Sequence, residues 1–339
     1  MFLGMVPVRI SFAGGGTDMP EYYEKYGGNV VSSCITRFTY VIINPRHDNK
    51  FQSFSSDLQT HHETTSYDAL EPRDGSEIAV SVVKYLDYKE GANFLVSSDV
   101  QPGSGLGASS ALTVNFVKTI STLKGENWSK EKIAETAFHI GRNILHHPIG
   151  KQDEYISAFG GFNYIKFDKD KVEVCPIDVR KSTLLELQQN LLLFFIGNDV
   201  RNSSSILSSQ LERIKQNQSD TINSLHSVKQ LAEGLYESLR NSDIRTFGEL
   251  LHKGWLAKKK FVTGITNPHI DKIYESALKC GVVGGKLTGA GGGGHMLFYC
   301  ELPYQEAFIQ KMKDLGLKQV KFSFHNEGPK VLDLYDFSR

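Results

Sequence analysis

The chain has 339 residues, 40% of them hydrophobic and 22% charged, which is typical of a globular protein of about two domains. Its 38 basic and 38 acidic side chains balance, which argues against broad binding to nucleic acid or to a membrane surface. Four scattered cysteines, no long apolar run and no leader-like opening segment together indicate a reduced, cytoplasmic setting.

The first half of the chain is predicted to alternate strands with short helices. Residues 30–45 and 93–100 are rich in β-branched and aromatic side chains, so we expect paired strands in the first range and one strand in the second. Helical spacing of apolar residues follows over 111–124 and 129–145. A hairpin is predicted over 160–179.

The second half is predicted to be mainly helical. A strand at 190–198 leads into helical periodicity over 204–261, and a short helix begins near residue 268. Glycines precede the next strand, and the tail alternates helix and strand. We expect a domain boundary near residue 180, which divides the chain into domains 1–180 and 181–339.

The segment PGSGLGASSA, residues 102–111, places three glycines between a predicted strand and a predicted helix. A glycine in regular structure costs about 0.5–1 kcal/mol relative to alanine, so this cluster needs a geometric or functional reason. Ser109 and Ser110 stand where a helix N-cap is expected. A strand, a glycine-rich loop and a helix N-terminus present backbone N–H groups and a positive dipole end to an anion.

Three ligand-binding interpretations of this loop compete with a purely structural one. Gly103, Gly105 and Ala108 fit a dinucleotide fingerprint, but the helix end TLKGEN stands where that fingerprint needs an acidic residue. A Walker A loop needs Lys followed by Ser or Thr after its last glycine, and the segment has no such pair. The third interpretation is a phosphate-binding loop that holds the phosphate with backbone N–H groups and has no lysine. The structural alternative is a tight turn between a strand and a helix.

Three further segments carry candidate chemistry. In PVRISFAGGGTD (7–18), glycines let a polyol approach the backbone and Asp18 can accept hydrogen bonds, unless it is a solvated loop residue. In GKQDEYISAFGGFNYIKF (150–167), Asp153 is either a helix cap or a catalytic carboxylate that faces the glycine-rich loop. In KLTGAGGGG (286–294), the glycines indicate either close approach to a ligand or a flexible strand edge.

The order of these four segments resembles the GHMP superfamily of small-molecule kinases, which includes galactokinase, homoserine kinase, mevalonate kinase and phosphomevalonate kinase. The resemblance covers nearly the whole chain. RISFAGGGTDMPEYYEKYGG, GKQDEYISAFGGFNYIKF, ITNPHIDKIYESALKCG and GGKLTGAGGGG are most similar to bacterial D-glycero-D-manno-heptose 7-phosphate kinases. Galactokinases typically carry Glu-His-Thr-Asp where this chain has residues 15–18, Gly-Gly-Thr-Asp, which argues against galactose.

The resemblance implies an α+β fold with a ribosomal-S5-like N-terminal domain, a ferredoxin-like C-terminal domain and an active site between them. It implies that Asp153 is the general base or the group that orients the acceptor hydroxyl, that Arg9 beside it balances phosphoryl charge, and that Ser110 offers its hydroxyl to Mg²⁺. The ATP phosphates are expected on Pro102, Gly103, Ser104, Gly105, Leu106, Gly107, Ala108, Ser109 and Ser110.

Substrate binding is expected from both halves of the chain. A 7-phosphate brings about two negative charges that need a cation, for which Lys151 and Arg201 are candidates. Arg201 is favoured because its guanidinium fork suits phosphate oxygens. The full predicted set is Gly16, Thr17, Asp18, Lys151, Arg201, Gly291 and Gly292.

The implied reaction is ATP- and Mg²⁺-dependent phosphorylation of the anomeric hydroxyl of a heptose 7-phosphate, which gives the 1,7-bisphosphate. The alternatives are a kinase of an unphosphorylated sugar such as fucose or galactose, and a catalytically weak sugar- or nucleotide-binding protein. The expected partners are therefore small molecules, ATP and a sugar phosphate, and neither nucleic acid nor a membrane.

One position departs from the family pattern. Relatives usually carry a Glu-Arg pair, whose glutamate binds Mg²⁺, where this chain has Gly141 and Arg142. Water, Asp18 or Glu154 are candidates to complete the metal shell, and an impaired enzyme is the remaining alternative.

Overall fold

The computed structural model describes residues 1–73, 75–197 and 200–335, with the backbone alone for 200–203. The strands in this part of the chain are β1 Phe2–Ala13, β2 Gly28–Pro45, β3 Phe51–Ser55, β4 Thr60–Thr64, β5 Ala92–Ser98, β6 Phe162–Phe167, β7 Val172–Pro176, β8 Leu191–Phe195, β9 Gly284–Leu287, β10 His295–Tyr299, β11 Lys318–Val320 and β12 Lys330–Asp333.

Helices connect these strands and confirm the predicted α+β class. They are α1 Pro20–Tyr26, α2 Glu77–Tyr85, α3 Ala108–Leu123, α4 Lys130–His139, α5 Gln152–Phe159, α6 Lys181–Asn190, α7 Val200–Lys215, α8 Ser219–Arg240, α9 Ile244–Lys258, α10 Pro268–Lys279 and α11 Leu302–Asp314. A π-helical turn, Ile140–Ile144, extends α4. None of these helices is both long enough and apolar enough to cross a bilayer.

A large sheet forms the N-terminal part. Its strand order is β12-β1-β2-β5-β3-β4, and β6 and β7 extend it from the first half of β2. The prediction of paired strands over 30–45 is wrong, because β2 is one strand of 18 residues. Residues 30–43 contain no glycine, proline, asparagine or aspartate with which to reverse the chain.

A second, four-stranded sheet forms the C-terminal part. Its order is β11-β8-β10-β9, and all three of its pairings are antiparallel. Helices α7 to α10 join β8 to β9, and α11 joins β10 to β11. This βαββαβ connectivity and strand order are those of the ferredoxin-like fold.

The C-terminal end returns to the first sheet. Strand β12 pairs antiparallel with β1, so residues from the second half of the chain complete the sheet of the first half. The main buried cluster also joins the two parts, because Leu235, Phe247 and Leu297 pack in the same core as Val117 and Ile120. Shared apolar packing therefore fixes the two parts against each other and sets the walls of the cleft between them.

Candidate active site

A cavity opens between the two parts of the molecule, where four glycine-rich or polar segments converge. It is walled by the end of β1 and the loop after it, the loop before α3, the start of α5, helices α7 to α9, and the loop between β9 and β10. The predicted site residues that line it are Arg9, Gly16, Asp18, Gly103, Ser104, Gly105, Gly107, Ala108, Ser109, Ser110 and Asp153.

Arg9 and Asp153 form the charged pair at the centre of this cavity. Nε of Arg9 donates to Oδ1 of Asp153 at 2.7 Å, and Nη2 donates to Oδ2 at 2.5 Å. The arginine side chain is 5% exposed and the aspartate side chain is 20% exposed, so the pair is held firmly while the carboxylate reaches the cavity. Nη1 of Arg9 donates to the carbonyl of Gly105 at 2.7 Å, which ties the pair to the glycine-rich loop.

Two glycines of that loop are needed for close approach. Gly107 has φ +76°, and a Cβ at this position would lie 3.1 Å from Oδ2 of Asp153 and 3.2 Å from Cζ of Arg9. Gly105 has φ +81°, and a Cβ there would lie 2.7 Å from the carbonyl oxygen of Thr288. The loop therefore packs directly on the charged pair and on the second glycine-rich segment, as well as lining the cavity.

The start of α3 differs from the prediction in one respect. Its N-cap is Gly107 in the left-handed conformation, with no side-chain cap, and Ser109 and Ser110 lie in the first helical turn. Because Gly107 reverses the backbone direction, the first turn of the helix meets the cavity. Both serines therefore line the cavity instead of capping the helix.

Asp18 is buried, at 2% exposure, at the edge of the cavity. Its Oδ1 accepts from the Gly16 N–H at 2.8 Å, and its Oδ2 accepts from the Gln152 N–H at 3.1 Å. Burial raises the pKa of Asp18 and the charge of Asp153 adds to this rise, whereas the Gln152 N–H opposes it. Asp18 therefore joins the loop after β1 to the start of α5, close to the carboxylate of Asp153.

Glu154 is buried next to Gly141, the position at which the family resemblance implies a glutamate. A Cβ at Gly141 would lie 4.0 Å from Oε1 of Glu154, so the Glu154 carboxylate fills the space beside this glycine. Its Oε2 has no hydrogen-bond partner among the described residues. Burial and the neighbouring Asp153 raise the pKa of Glu154 to about 8, and a hydrogen bond from Ser110 opposes the rise.

The structure does not bring every predicted residue to the cavity. The hydroxyl of Thr17 donates to the carbonyls of Gly14 and Asn29 at 2.8 and 3.0 Å, because it joins β1 to β2. The ammonium of Lys151 pairs with Glu135 at 2.6 Å. Both side chains therefore make structural contacts, and neither residue lines the cavity.

Other predicted residues do not line the cavity but lie next to residues that do. The carbonyl of Leu106 accepts from the Arg9 N–H at 3.0 Å, and the N–H of Gly292 donates to Ile265 at 3.0 Å. A Cβ on Gly291 would strike the backbone of Ile265, and Gly289 and Ala290 line the cavity in its place. Pro102 precedes the lining residues, and the side chain of Arg201 lies outside the described part of the structure.

The cavity is also lined by six polar residues of which only Ser104 was among the predicted site residues. Ser11 Oγ, Ser104 Oγ, Gln152 Oε1 and Gln210 Nε2 are buried and have no hydrogen-bond partner within the described residues. All four residues line the cavity, and Lys258 and Lys286 line it as well. Only Ser11, Ser104, Gln152 and Lys286 stand within the quoted segments, so their position in those segments was the available signal.

Family models match both parts of the chain. The model described as "GHMP kinases N terminal domain" matches residues 77–161, and "GHMP kinases C terminal" matches residues 235–317. A D-glycero-alpha-D-manno-heptose 7-phosphate kinase of Campylobacter jejuni is 32% identical over 331 residues, which cover 96% of each chain. An L-fucokinase/L-fucose-1-P guanylyltransferase of Bacteroides fragilis is 26% identical, over 91% of this chain and 35% of that protein.

Solved structures share the fold over nearly the full length. A putative sugar kinase from Campylobacter jejuni is 29% identical with a TM-score of 0.79, over 98% of each chain. A D-glycero-D-manno-heptose 1-phosphate kinase from Bacteroides thetaiotaomicron has a TM-score of 0.83 at 24% identity, over 99% of this chain and 100% of that one. At 24% identity, the similarity to this second structure supports the fold alone. With both family models matched and a relative 32% identical over almost its whole length, this chain belongs to the GHMP kinase family.

Proposed function

We propose that this protein transfers the γ-phosphoryl group of ATP to the anomeric hydroxyl of a heptose 7-phosphate, giving the 1,7-bisphosphate. The observation that carries the proposal is the Arg9–Asp153 pair seated under Gly107, at the start of a helix whose first turn opens into the same cavity. The similarity to a heptose 7-phosphate kinase supports the choice of acceptor.

Asp153 acts on the acceptor hydroxyl in this proposal. Its carboxylate takes the hydroxyl proton as the sugar oxygen forms its bond to the γ-phosphorus, and the bond from phosphorus to the leaving ADP oxygen breaks. General-base assistance of this kind contributes about 10²–10⁴-fold to a rate. Arg9 is a positioning residue, because its two hydrogen bonds to Asp153 fix the direction of the carboxylate.

The backbone of the 103–110 loop is proposed to bind the phosphates of ATP. Free N–H groups at the first turn of α3 and the positive end of the helix dipole favour an anion there. Of the nine predicted ATP-binding residues, Gly103, Ser104, Gly105, Gly107, Ala108, Ser109 and Ser110 line the cavity. This arrangement supplies the charge complementarity that a lysine supplies in a Walker A loop.

The unpartnered polar atoms favour a polyhydroxylated acceptor. Gln210 Nε2 is a donor, Gln152 Oε1 is an acceptor, and the hydroxyls of Ser11 and Ser104 are both. A buried polar group without a partner costs about 1–3 kcal/mol, so a sugar that pairs with these atoms recovers that cost on binding. Gly16 keeps this side open, since a Cβ there would lie 2.6 Å from Nε2 of Gln210.

Magnesium is proposed as the metal, held by Ser110 and Glu154. The unpartnered Oε2 of Glu154 and its position beside Gly141 fit an oxygen-ligated cation, and they favour Glu154 over Asp18, whose oxygens already accept hydrogen bonds. When bound, Mg²⁺ neutralises charge on the phosphate oxygens. Mg²⁺ usually keeps several waters and phosphate oxygens as ligands, so two oxygens from the protein suffice. The described residues contain no group of three or more His, Cys, Asp or Glu that could hold a metal ion by themselves.

The experiment that tests the proposal measures ADP release with ATP, Mg²⁺ and a panel of sugars and sugar phosphates. We expect heptose 7-phosphate to have a kcat/KM at least about tenfold above that of free heptose, fucose and galactose, because the substrate phosphate adds charged hydrogen bonds. Equal activity on free and phosphorylated heptose favours the unphosphorylated-sugar kinase. Binding of ATP and sugar without turnover favours a binding protein.

Two finer predictions remain part of the proposal. Arg201 stays a candidate for the substrate phosphate, and Arg201→Ala is expected to lose activity selectively on the phosphorylated acceptor. The cytoplasm is the proposed setting, because the enzyme uses ATP and its four cysteines, Cys34, Cys175, Cys280 and Cys300, are free.

A further inference from the structure

Two lysines, Lys258 and Lys286, line the cavity without a carboxylate partner. Nζ of Lys258, at the end of α9, donates to the carbonyl of Leu287 at 3.3 Å and also to the carbonyl of Gly289. Nζ of Lys286, on β9, donates to the carbonyls of Ser11 at 2.8 Å and Phe12 at 3.1 Å. Within the described residues, no carboxylate lies in ion-pair distance of either ammonium group.

The surroundings of both lysines disfavour their charged forms. Burial lowers the pKa of Lys258 to about 7, and the positive charge of Arg9 contributes to the shift. Burial also lowers the pKa of Lys286 well below its usual value, and Lys258 and Arg9 add to that effect. Each ammonium has three N–H donors and only two carbonyl partners, so each retains capacity for an anionic ligand.

The two lysines lie close to the reacting centre. The carbonyl of Gly289 accepts from Lys258, and a Cβ on Gly289 would lie 2.4 Å from the Cα of Gly105. Gly105 in turn accepts from Nη1 of Arg9, whose guanidinium holds Asp153. Lys286 donates to the carbonyls of Ser11 and Phe12, which lie at the end of β1 shortly before the glycines 14–16 that also line the cavity. Lys258 and Lys286 thus connect the phosphate loop to the proposed acceptor side.

We propose that Lys258 and Lys286 form a phosphate-binding pair, a proposal that rests on the proposed kinase function and adds two cations to the cavity besides Arg9. Lys286 is buried and Lys258 is partly buried, so two cations without a carboxylate partner become favourable there once a phosphate dianion neutralises them. Two groups carry this chemistry in the proposed reaction: the γ-phosphoryl group of ATP and the phosphate on the acceptor. Lys151 pairs with Glu135 away from the cavity, so it does not serve this purpose.

The test measures binding of each ligand by calorimetry, with Lys258→Met and Lys286→Met compared with the wild type. Lys253→Met is the matched control, because Lys253 is exposed on the same helix as Lys258. The titrants are a non-hydrolysable ATP analogue, heptose 7-phosphate and free heptose. We expect the phosphate-bearing ligand that contacts the pair to bind about tenfold to hundredfold more weakly, the range for hydrogen bonds between charged groups.

The titrants separate the two sources of phosphate. A loss confined to the ATP analogue assigns the pair to the γ-phosphoryl group, and a loss on heptose 7-phosphate but not on free heptose assigns it to the acceptor. Unchanged affinity of both lysine variants for both phosphate ligands overturns the proposal.

Two controls keep the result independent of folding and of the proposed substrate. Lys258→Arg retains the positive charge, so we expect it to bind the phosphate-bearing ligand more tightly than Lys258→Met does. Thermal melting of each unliganded variant checks that the variant is folded. If the wild type binds the ATP analogue but not heptose 7-phosphate, the proposed acceptor fails, whereas the lysine pair is still tested by the ATP arm.

Discussion

Arg9 and Asp153, 144 positions apart in the chain, meet through two hydrogen bonds, from Nε to Oδ1 at 2.7 Å and from Nη2 to Oδ2 at 2.5 Å. The first residue lies on β1 and the second in the first turn of α5. A two-pronged contact fixes the plane of the carboxylate as well as its position. The proposed base is therefore oriented before any substrate binds, and Gly107 packs directly on it.

Asp153→Asn is expected to lower kcat by about 10²-fold or more, because the amide cannot take the proton of the acceptor hydroxyl. Binding of ATP is expected to stay near the wild-type value, since the loop backbone is unchanged. Steady-state kinetics and calorimetry measure the two effects, and Asp170→Asn, in the exposed β6–β7 turn, is the control. A near-normal kcat in Asp153→Asn refutes the assignment of the base.

Arg9→Lys keeps a positive charge but cannot form both contacts with Asp153, because lysine lacks the planar fork. We expect a fall in kcat of about tenfold or more, with a smaller change in the KM for ATP. The comparison of kcat with KM for each substrate checks this. Wild-type kinetics in Arg9→Lys would show that the reaction does not need the two-pronged contact of the Arg9 guanidinium with Asp153.

Gly107→Ala tests the close packing of the phosphate loop on the charged pair. Gly125 offers a matched control, because its φ of +73° is close to the +76° of Gly107 while a Cβ on Gly125 would have no atom within 4 Å. Both variants bear the cost of a left-handed alanine, roughly 1 kcal/mol. Only Gly107→Ala is expected to lower kcat and raise the KM for ATP.

Thermal melting and kinetics on the two glycine variants distinguish the causes. A kinetic defect confined to Gly107→Ala, in a variant that melting shows to be folded, supports the packing argument. Equal kinetics in both variants contradict it, because the contact with Asp153 and Arg9 then has no consequence for the reaction.

Glu154→Gln is expected to weaken metal binding by about tenfold or more if Glu154 takes the place of the metal-binding glutamate that the family resemblance implies at position 141. Mn²⁺ bound to the complex with a non-hydrolysable ATP analogue, followed by electron paramagnetic resonance, gives a readout separate from turnover. Glu131→Gln, at an exposed position of α4, is the control.

The exchange Gly141→Glu with Glu154→Gln is expected to restore part of the metal affinity. A Cβ at residue 141 meets the flexible Cδ1 of Ile149 at 2.8 Å, so a small movement of that side chain admits the new glutamate. Metal binding by Glu154→Gln at the wild-type affinity excludes this carboxylate as a ligand.

Lys258→Met is expected to change the pH dependence of stability in the unliganded protein. The folded-state pKa of Lys258 is lowered to about 7 from an ordinary 10.5, with Arg9 and Lys286 as its charged neighbours. Between these values the unfolded chain binds more protons, so this lysine makes the wild-type free energy of unfolding rise with pH. The free energy of unfolding that Lys258→Met gains over the wild type is therefore largest below pH 7 and shrinks toward pH 10.5.

Urea unfolding at several pH values from about 6 to about 10 measures this difference. Lys253→Met, which removes an exposed lysine of the same helix, is expected to follow the wild type throughout. Parallel curves for Lys258→Met and the wild type contradict the lowered pKa.

Local sequence patterns were enough to predict most of the elements and the segments that meet at the cavity. Spacing of apolar residues predicted the strand before the phosphate loop and the helix after it, and these are β5 and α3. Two strand-like segments on either side of the turn-like residues 168–170 predicted the hairpin of β6 and β7. The glycine clusters singled out both loops that pack on each other through Gly105 and Gly289. The family resemblance, confirmed by the models matched on both halves, identified the kinase class.

The use of individual side chains depends instead on tertiary packing. Thr17 and Lys151 stand in the predicted segments, yet one hydroxyl joins two strands and one ammonium pairs with Glu135. Lys258 stands in the predicted helical region 204–261 but outside the four segments with candidate chemistry, and it still lines the cavity. Helical and strand periodicity fix which face of an element is apolar, but contacts between residues far apart in the chain depend on how the two sheets pack. The Arg9–Asp153 pair and the Glu154 carboxylate beside Gly141 are set by that packing.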